Sequence, residues 1–188
     1  HFIDFLREAA IDPQVKEIGL TIYRVASDSK VVNALLNAVR NGKKVTVVIE
    51  LQARFDEEAN IYWSNKLQDE GANVINGVPG MKVHSKLAWV QRKENGLIRN
   101  YAYIGTGNFH EGTAKIYADD GLLTADPRLA NEVEKVFEFF KHNYLQYDYK
   151  HLVISSFYMR RHFETCIENE MKQAKEGKPA WMILKMNS

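Results

Sequence analysis

Two apolar runs constrain the fold of this chain more than any other feature: "IGLTIYR" (Ile18–Arg24) and "KKVTVVIEL" (Lys43–Leu51). Both are rich in β-branched residues and nearly uninterrupted by polar ones, which is typical of strands covered on both sides. The segment between them has apolar residues at helical spacing from Val32 to Val39 and closes at Gly42. A strand, a helix and a strand in this order predict an α/β fold, a mixed, mostly parallel sheet flanked by helices.

The same alternation continues along the chain. The sequence predicts a helix from about Asp56 to Glu70, with Ser27 and Asp28 as candidate N-caps of the helix before it. Strands are predicted at Lys82–Val90 and Ile98–Ile104, and a further helix has Pro127 in its first turn.

The tail of the chain has the same order of elements as its head. "LVISSFYMRRHFETCIENEMKQAKEGKPAWMILKM" runs strand, helix, Gly-Lys and strand, with Tyr158 in the place of Tyr23. Internal similarity predicts two related α/β halves, although shared α/β patterning without duplication would look alike. We therefore expect an excised fragment, with a first domain at residues 1–145 and the truncated start of a second at 146–188.

Composition limits the function classes. The formal net charge is +1, so affinity for polyanions would have to come from a local cluster rather than from the whole surface. One cysteine, Cys166, excludes an internal disulfide and a multi-cysteine metal site, and it favours a reducing, cytosolic setting. No apolar run approaches the roughly 18–20 residues of a membrane span.

The segment "GMKVHSKLAWV" (80–90) is the first candidate for chemistry. Strand alternation would place Lys82, His84 and Lys86 on one face, where an anion would relieve the crowding of positive charge. Lys86 could neutralise an oxyanion while His84 attacks it, because neutral imidazole is a good nucleophile near pH 7. Alone, His-x-Lys is more often an accident of a strand edge than a catalytic motif.

Three further features fit an anion site. Gly105–Asn108 ("GTGN") ends a predicted strand, and Thr106 and Asn108 could donate hydrogen bonds to phosphate oxygens, although the segment could equally be a simple turn. Arg24 and Arg54 follow the first two predicted strands, so both could project from the sheet edge where open α/β sheets bind ligands.

The motifs "TIYRVASDS", "GMKVHSKLAWV" and "YIGTGNFHEGTAKIYADDGLLT" resemble the C-terminal catalytic region of the polyphosphate kinases. The resemblance implies two domains with the phospholipase D fold, of which the chain holds most or all of the first. It implies that His84 takes the terminal phosphate of ATP as phosphohistidine. It also implies that Arg24 and Arg54 surround the phosphates and Mg²⁺, and that Tyr117 lies at the nucleotide site.

Asp119 is our own candidate for the acid that holds the far ring nitrogen of His84 in the right tautomer, although it could equally be a cap. The family's second essential histidine has no counterpart before Ser188, so this fragment alone is expected to have little or no kinase activity.

The resemblance names the partners as ATP, ADP and inorganic polyphosphate, with Mg²⁺ as the cofactor and no nucleic acid. It also implies a homo-oligomer for the full-length enzyme and a cytoplasmic location that allows peripheral membrane association.

Two other functions stay open on the residues. One is a phospholipase D-type phosphodiesterase that uses His84 as its nucleophile. Those enzymes carry an Asp where this chain has Gln91, which disfavours that assignment. The other is a non-catalytic module that binds polyanions. Aromatic side chains interleaved with the basic face would favour it, but Trp89 is predicted to point the other way.

Overall fold

The computed structural model describes residues 2–51, 53, 57–155 and 157–184. The chain divides into two compact units, His1–Tyr147 and Asp148–Ser188. In the first unit the elements are α1 (Phe2–Ile11), β1 (Val15–Ile22), α2 (Lys30–Arg40), β2 (Lys44–Ile49), α3 (Glu57–Asp69), β3 (Asn73–Asn76), β4 (Lys86–Glu94), β5 (Leu97–Gly105), a short 3₁₀ helix (Thr113–Lys115), β6 (Gly121–Thr124) and α4 (Pro127–Lys141).

The described strands of this unit form one mixed sheet in the order β3-β2-β1-β4-β5-β6. β1, β2 and β3 are parallel neighbours, whereas β4, β5 and β6 pair antiparallel. The predicted α/β fold with a mixed sheet is confirmed. Four of the six strands run in one direction, but only two of the five pairings are parallel, because β4 separates β1 from β5.

Helices cover both faces of the sheet, which is why β1 and β2 are apolar nearly throughout. On one face, α1, α2 and α3 bury a cluster that includes Ile18, Leu20 and Ile22 of β1. On the other, Phe137 of α4 stacks against Trp89 of β4, with ring centroids 6.0 Å apart. A Cβ atom at Gly19 would lie 2.9 Å from the Phe137 ring, so glycine lets α4 pack directly on the sheet.

The start of α2 differs from the prediction. α2 is capped by Ser29, whose side chain accepts a hydrogen bond from the Val32 amide, so the expectation of Ser27 or Asp28 as the cap is wrong. The predicted start of the next helix, Asp56, lies outside the described residues; α3 begins at Glu57.

The second unit contains the helix α5 (Met159–Lys175), as the repeat predicts. The flanking strands of the repeat are absent from the described part of this unit, because residues 152–155 and 179–184 adopt no regular structure. The domain boundary and the duplication stay predictions. Over the described residues, no helix is long and apolar enough to cross a membrane.

Candidate active site

His84 lies just before β4 rather than inside it. The predicted strand Lys82–Val90 is wrong at its start, since residues 82–85 form no ladder and the strand begins at Lys86. Side chains replace the missing ladder: the Val83 amide donates to a carboxylate oxygen of Glu50 (3.3 Å), and the Ser85 carbonyl accepts from the Thr21 hydroxyl (2.7 Å). The His84 side chain is exposed to solvent, so a ligand can reach it.

Lys86 touches His84 in three places. Its Nζ donates to the His84 carbonyl oxygen at 2.7 Å and lies 3.0 Å from ring nitrogen Nδ1 and 3.3 Å from Nε2. The structure thus brings these two side chains together, although His84 lies outside the strand whose alternation was the basis for expecting this. Unlike His84, Lys86 is only 5% exposed. A buried ammonium group beside an exposed imidazole can stabilise an anion bound at the ring while keeping its own position fixed.

Tyr23 is the residue around which the cationic groups gather. Its ring meets the His84 ring edge-on, with centroids 4.5 Å apart and an interplanar angle of 67°. Lys86 Nζ lies 5.4 Å from its centroid, and the Arg24 guanidinium carbon lies 5.9 Å away. Both cations are within range of an attractive interaction with the ring. Sequence reasoning missed Tyr23 as a site residue; its place at the end of β1, next to Arg24, was the available signal.

Burial and charge set the protonation of this cluster. The pKa of His84 is lowered, first by partial burial and then by the charges of Lys86 and Arg24. Burial lowers the pKa of Lys86 to about 8; the negative charge of Asp119 opposes this shift, and Arg24 adds to it. Near pH 7 the imidazole is therefore neutral, with a lone pair on one of its ring nitrogens, while most of the lysine is still protonated.

The GTGN segment forms a second part of the candidate site. β5 ends at Gly105, and the Thr106 hydroxyl that follows donates to Asp119 at 3.1 Å and accepts from the Asp120 amide at 3.0 Å. A Cβ atom on Gly107 would lie 2.3 Å from a carboxylate oxygen of Asp119. The glycine is thus required by a close approach of Asp119, and the Thr106 proton, which we expected to reach phosphate, is directed to the same carboxylate.

Asp119 itself has no hydrogen bond to His84 among the described residues. It acts on the cluster through its charge, which raises the pKa of Lys86 against the effect of burial. The predicted role of Asp119 in orienting the His84 ring stays a prediction.

Tyr117 and Asn108 line a cleft of about 480 Å³, together with Phe2, Arg7, Tyr103 and Asp119. The Tyr117 side chain is exposed. The side-chain oxygen of Asn108 is buried and has no hydrogen-bond partner in the described part of the chain. Such an oxygen is an acceptor available to a ligand. Asp119 connects the two parts of the site, because it lines this cleft and also influences Lys86.

Of the remaining predicted residues, Arg24 is half-buried beside Tyr23, and Arg54 lies outside the described residues. Over the described ranges, no group of three or more His, Cys, Asp or Glu side chains could hold a metal ion. The side chains around His84 are cationic and suit phosphate oxygens. Mg²⁺ would therefore have to be held by phosphate groups rather than by these residues.

Comparison with known proteins identifies the family. Residues 1–146 match the sequence profile described as polyphosphate kinase C-terminal domain 1. The chain belongs to the polyphosphate kinase family. All 188 residues align with the polyphosphate kinase of Escherichia coli strain K12 at 47% identity, and the chain spans 27% of the length of that protein. The resemblance described from the sequence is confirmed.

Solved structures agree with this family. A crystal structure of polyphosphate kinase from Porphyromonas gingivalis superposes with a TM-score of 0.83 at 37% identity, covering 94% of this chain and 30% of that one. Nuc from Salmonella typhimurium, a phospholipase D family member, superposes with a TM-score of 0.54 at 18% identity, over 75% of this chain and 86% of that one. The second likeness shows the fold alone, and the predicted phospholipase D-like fold is confirmed.

Proposed function

We propose that this chain is the part of a polyphosphate kinase that takes the terminal phosphate of ATP onto His84 and passes it to a growing polyphosphate chain. The observation that carries the proposal is the contact of Lys86 Nζ with both ring nitrogens of His84, beside Tyr23 and Arg24. A neutral nucleophile lies there next to fixed positive charge, which is the arrangement that phosphoryl transfer requires.

In the proposed first step, a lone pair on a ring nitrogen of His84 attacks the γ-phosphorus of ATP. A P–N bond forms, the bond between the γ-phosphorus and the β,γ-bridging oxygen breaks, and ADP leaves with that electron pair. Lys86 and Arg24 stabilise the charge on the γ-phosphate oxygens. In the second step the terminal phosphate of polyphosphate attacks the phosphohistidine, and the ring nitrogen recovers its lone pair.

The cleft beside Asn108 and Tyr117 is the proposed position of the nucleotide. The exposed Tyr117 ring offers a stacking surface, and the unpartnered Asn108 oxygen would accept a hydrogen bond from an amino or hydroxyl group. Arg24 and Arg54 would contact the phosphates, and Mg²⁺, when bound to those phosphates, would supply further charge neutralisation. Thr106 would donate a hydrogen bond to phosphate only after its hydroxyl turns away from Asp119.

The test is the recovery of acid-labile, alkali-stable phosphate from the intact protein after incubation with γ-labelled ATP. We expect label in the wild-type protein and none in His84→Ala. His162→Ala is the matched control, because His162 is an exposed histidine on α5. Undiminished labelling of His84→Ala would refute the assignment.

The identity of residue 91, a glutamine, disfavours a phosphodiesterase function. Its side-chain amide donates to a carboxylate oxygen of Glu134 at 3.1 Å, a bond that an ionised aspartate could not make. Cleavage of bis-p-nitrophenyl phosphate in EDTA, without ATP, would favour the phosphodiesterase over the kinase. Inactivity of the isolated fragment, homo-oligomer formation, cytoplasmic location, membrane association and the absence of nucleic-acid binding stay predictions.

A further inference from the structure

The segment that carries His84 is held in place by two side chains that lie on other strands or just beyond them. We propose that Thr21 and Glu50 are positioning residues for His84, an inference that rests on the proposed function of that histidine. Both side chains are nearly inaccessible to solvent, with 1% and 6% exposure. Neither touches the His84 ring through a hydrogen bond in the described part of the chain, so both would act through the backbone.

Thr21 replaces the sheet ladder where the ladder stops. The backbone pairing of β1 with β4 ends at Leu20 and Ala88. Beyond that pair the Thr21 hydroxyl donates to the Ser85 carbonyl at 2.7 Å and accepts from the Leu87 amide at 2.9 Å. One hydroxyl therefore makes hydrogen bonds to the backbone on both sides of Lys86, at a point where β1 and β4 no longer pair.

Glu50 binds the backbone of the residue that precedes His84. Its carboxylate accepts from the Val83 amide at 3.3 Å. Its own backbone is fixed, because the Glu50 amide donates to the Ile22 carbonyl and the Glu50 carbonyl accepts from the Asn60 side chain, both at 2.9 Å. The position of Val83 is thus tied to the ends of β1 and β2 and to α3.

Together the two side chains fix alternate residues of the segment. Backbone groups of Val83, Ser85 and Leu87 are bound by Glu50 or Thr21, whereas the residues between them, His84 and Lys86, have side chains that meet each other. Reactions that depend on alignment lose rate when the nucleophile shifts, by as much as about 10²-fold for a displacement of about 1 Å. Because residues 82–85 lie outside the regular ladder, these side-chain bonds take over part of the work of holding His84 in position.

The experiment compares variants that keep or remove the hydrogen-bonding group in the intact protein. Thr21→Val preserves the shape and removes the hydroxyl, and Thr21→Ser restores it. We expect Thr21→Val to lower kcat by about 10- to 100-fold with less than about a threefold change in KM for ATP. We expect Thr21→Ser to stay within about threefold of wild type. Glu50→Ala should behave like Thr21→Val, and Glu50→Gln, which retains an acceptor oxygen, should recover at least part of the loss.

Two results would overturn the proposal: unchanged kcat in a folded Thr21→Val protein, or an equal loss in Thr21→Ser and Thr21→Val. A second readout does not depend on turnover. Carbethoxylation of His84 and amide exchange of Leu87 should both become faster in Thr21→Val and return to wild-type rates in Thr21→Ser.

If the wild-type protein forms no phosphohistidine on His84, the proposed function fails, and these two rates still decide whether Thr21 holds the segment. Unchanged rates in Thr21→Val would then overturn the positioning role as well.

Discussion

Replacement of Lys86 by methionine tests the electrostatics of the candidate site most directly. The Lys86 ammonium lies 3.0 and 3.3 Å from the two ring nitrogens of His84, so oxygens of a phosphate transferred to either nitrogen would come within about 4 Å of it. At that separation, two unit charges near a protein surface interact by about 4 kcal/mol. Screening by water at the exposed face of His84 reduces the effect to about 2–4 kcal/mol, which corresponds to a rate loss of about 30- to 1000-fold.

The assay is single-turnover formation of the acid-labile phosphoprotein at pH 7, where most Lys86 is protonated because its pKa is about 8. Lys82→Met is the matched control, because Lys82 is an exposed lysine two residues to the other side of His84. We expect its rate to stay within about threefold of wild type, since exposed charges are well screened. The unfolding temperature of Lys86→Met should not fall sharply, because burial disfavours the charged form of Lys86, as its lowered pKa shows. A Lys86→Met rate within fivefold of wild type, or an equal loss in Lys82→Met, would refute the reasoning.

Three further predictions follow from pKa shifts in the structure. The phosphorylation rate should fall as the pH rises through about 8, where Lys86 loses its proton. Lys86→Arg should move that fall upward by at least about one pH unit. A fall in rate at the same pH in Lys86→Arg would show that another group titrates. Tyr23→Leu should increase the contact of the partly covered His84 ring with water and bring its pKa, followed by NMR, back up toward the ordinary value. Tyr62→Leu, at an exposed tyrosine of α3, should leave that pKa unchanged. An unshifted pKa in Tyr23→Leu would contradict the role of burial. Burial alone would raise the pKa of Glu17, but hydrogen bonds from Lys141 and Lys44 outweigh it and the pKa is lowered. Glu17→Gln should therefore cost about 1–3 kcal/mol of unfolding free energy at pH 7, a difference that disappears as the pH falls below 4.5 through the lowered pKa; a constant difference down to pH 2 would contradict it.

The sheet was predictable where the sequence has a strong local pattern. β1 and β2 are apolar on both faces, and the segment between them has the spacing of an amphipathic helix, so each element was found from neighbouring residues alone. The start of β4 was not predictable in this way. The alternation in "GMKVHSKLAWV" continues unbroken through residues 82–85, and only the absence of a backbone partner there ends the ladder.

The residues of the candidate site likewise divide into those that could be predicted from a local pattern and those that could not. His84 and Lys86 could be found because two residues in one short motif carry the chemistry, and residues only two positions apart stay close whether or not the segment belongs to a sheet. Thr21, Tyr23 and Glu50 could not, because their contacts with the motif span more than thirty positions of the chain. A threonine in a β-rich run and a glutamate after a strand have ordinary explanations until the tertiary structure shows what they bind.

The hairpin between β4 and β5 provides an attachment point for probes in experiments on this protein. Its turn, with Asn95 and Gly96 both at positive φ, lies at the opposite end of β4 from Lys86. Lys86 and Glu94 are the two ends of this nine-residue strand, a distance of about 27 Å. Gly96 and Leu97 are exposed there. A fluorophore or an immobilisation handle attached at this turn would be rigidly connected to the strand that begins at Lys86, yet too far away to interfere with binding or transfer.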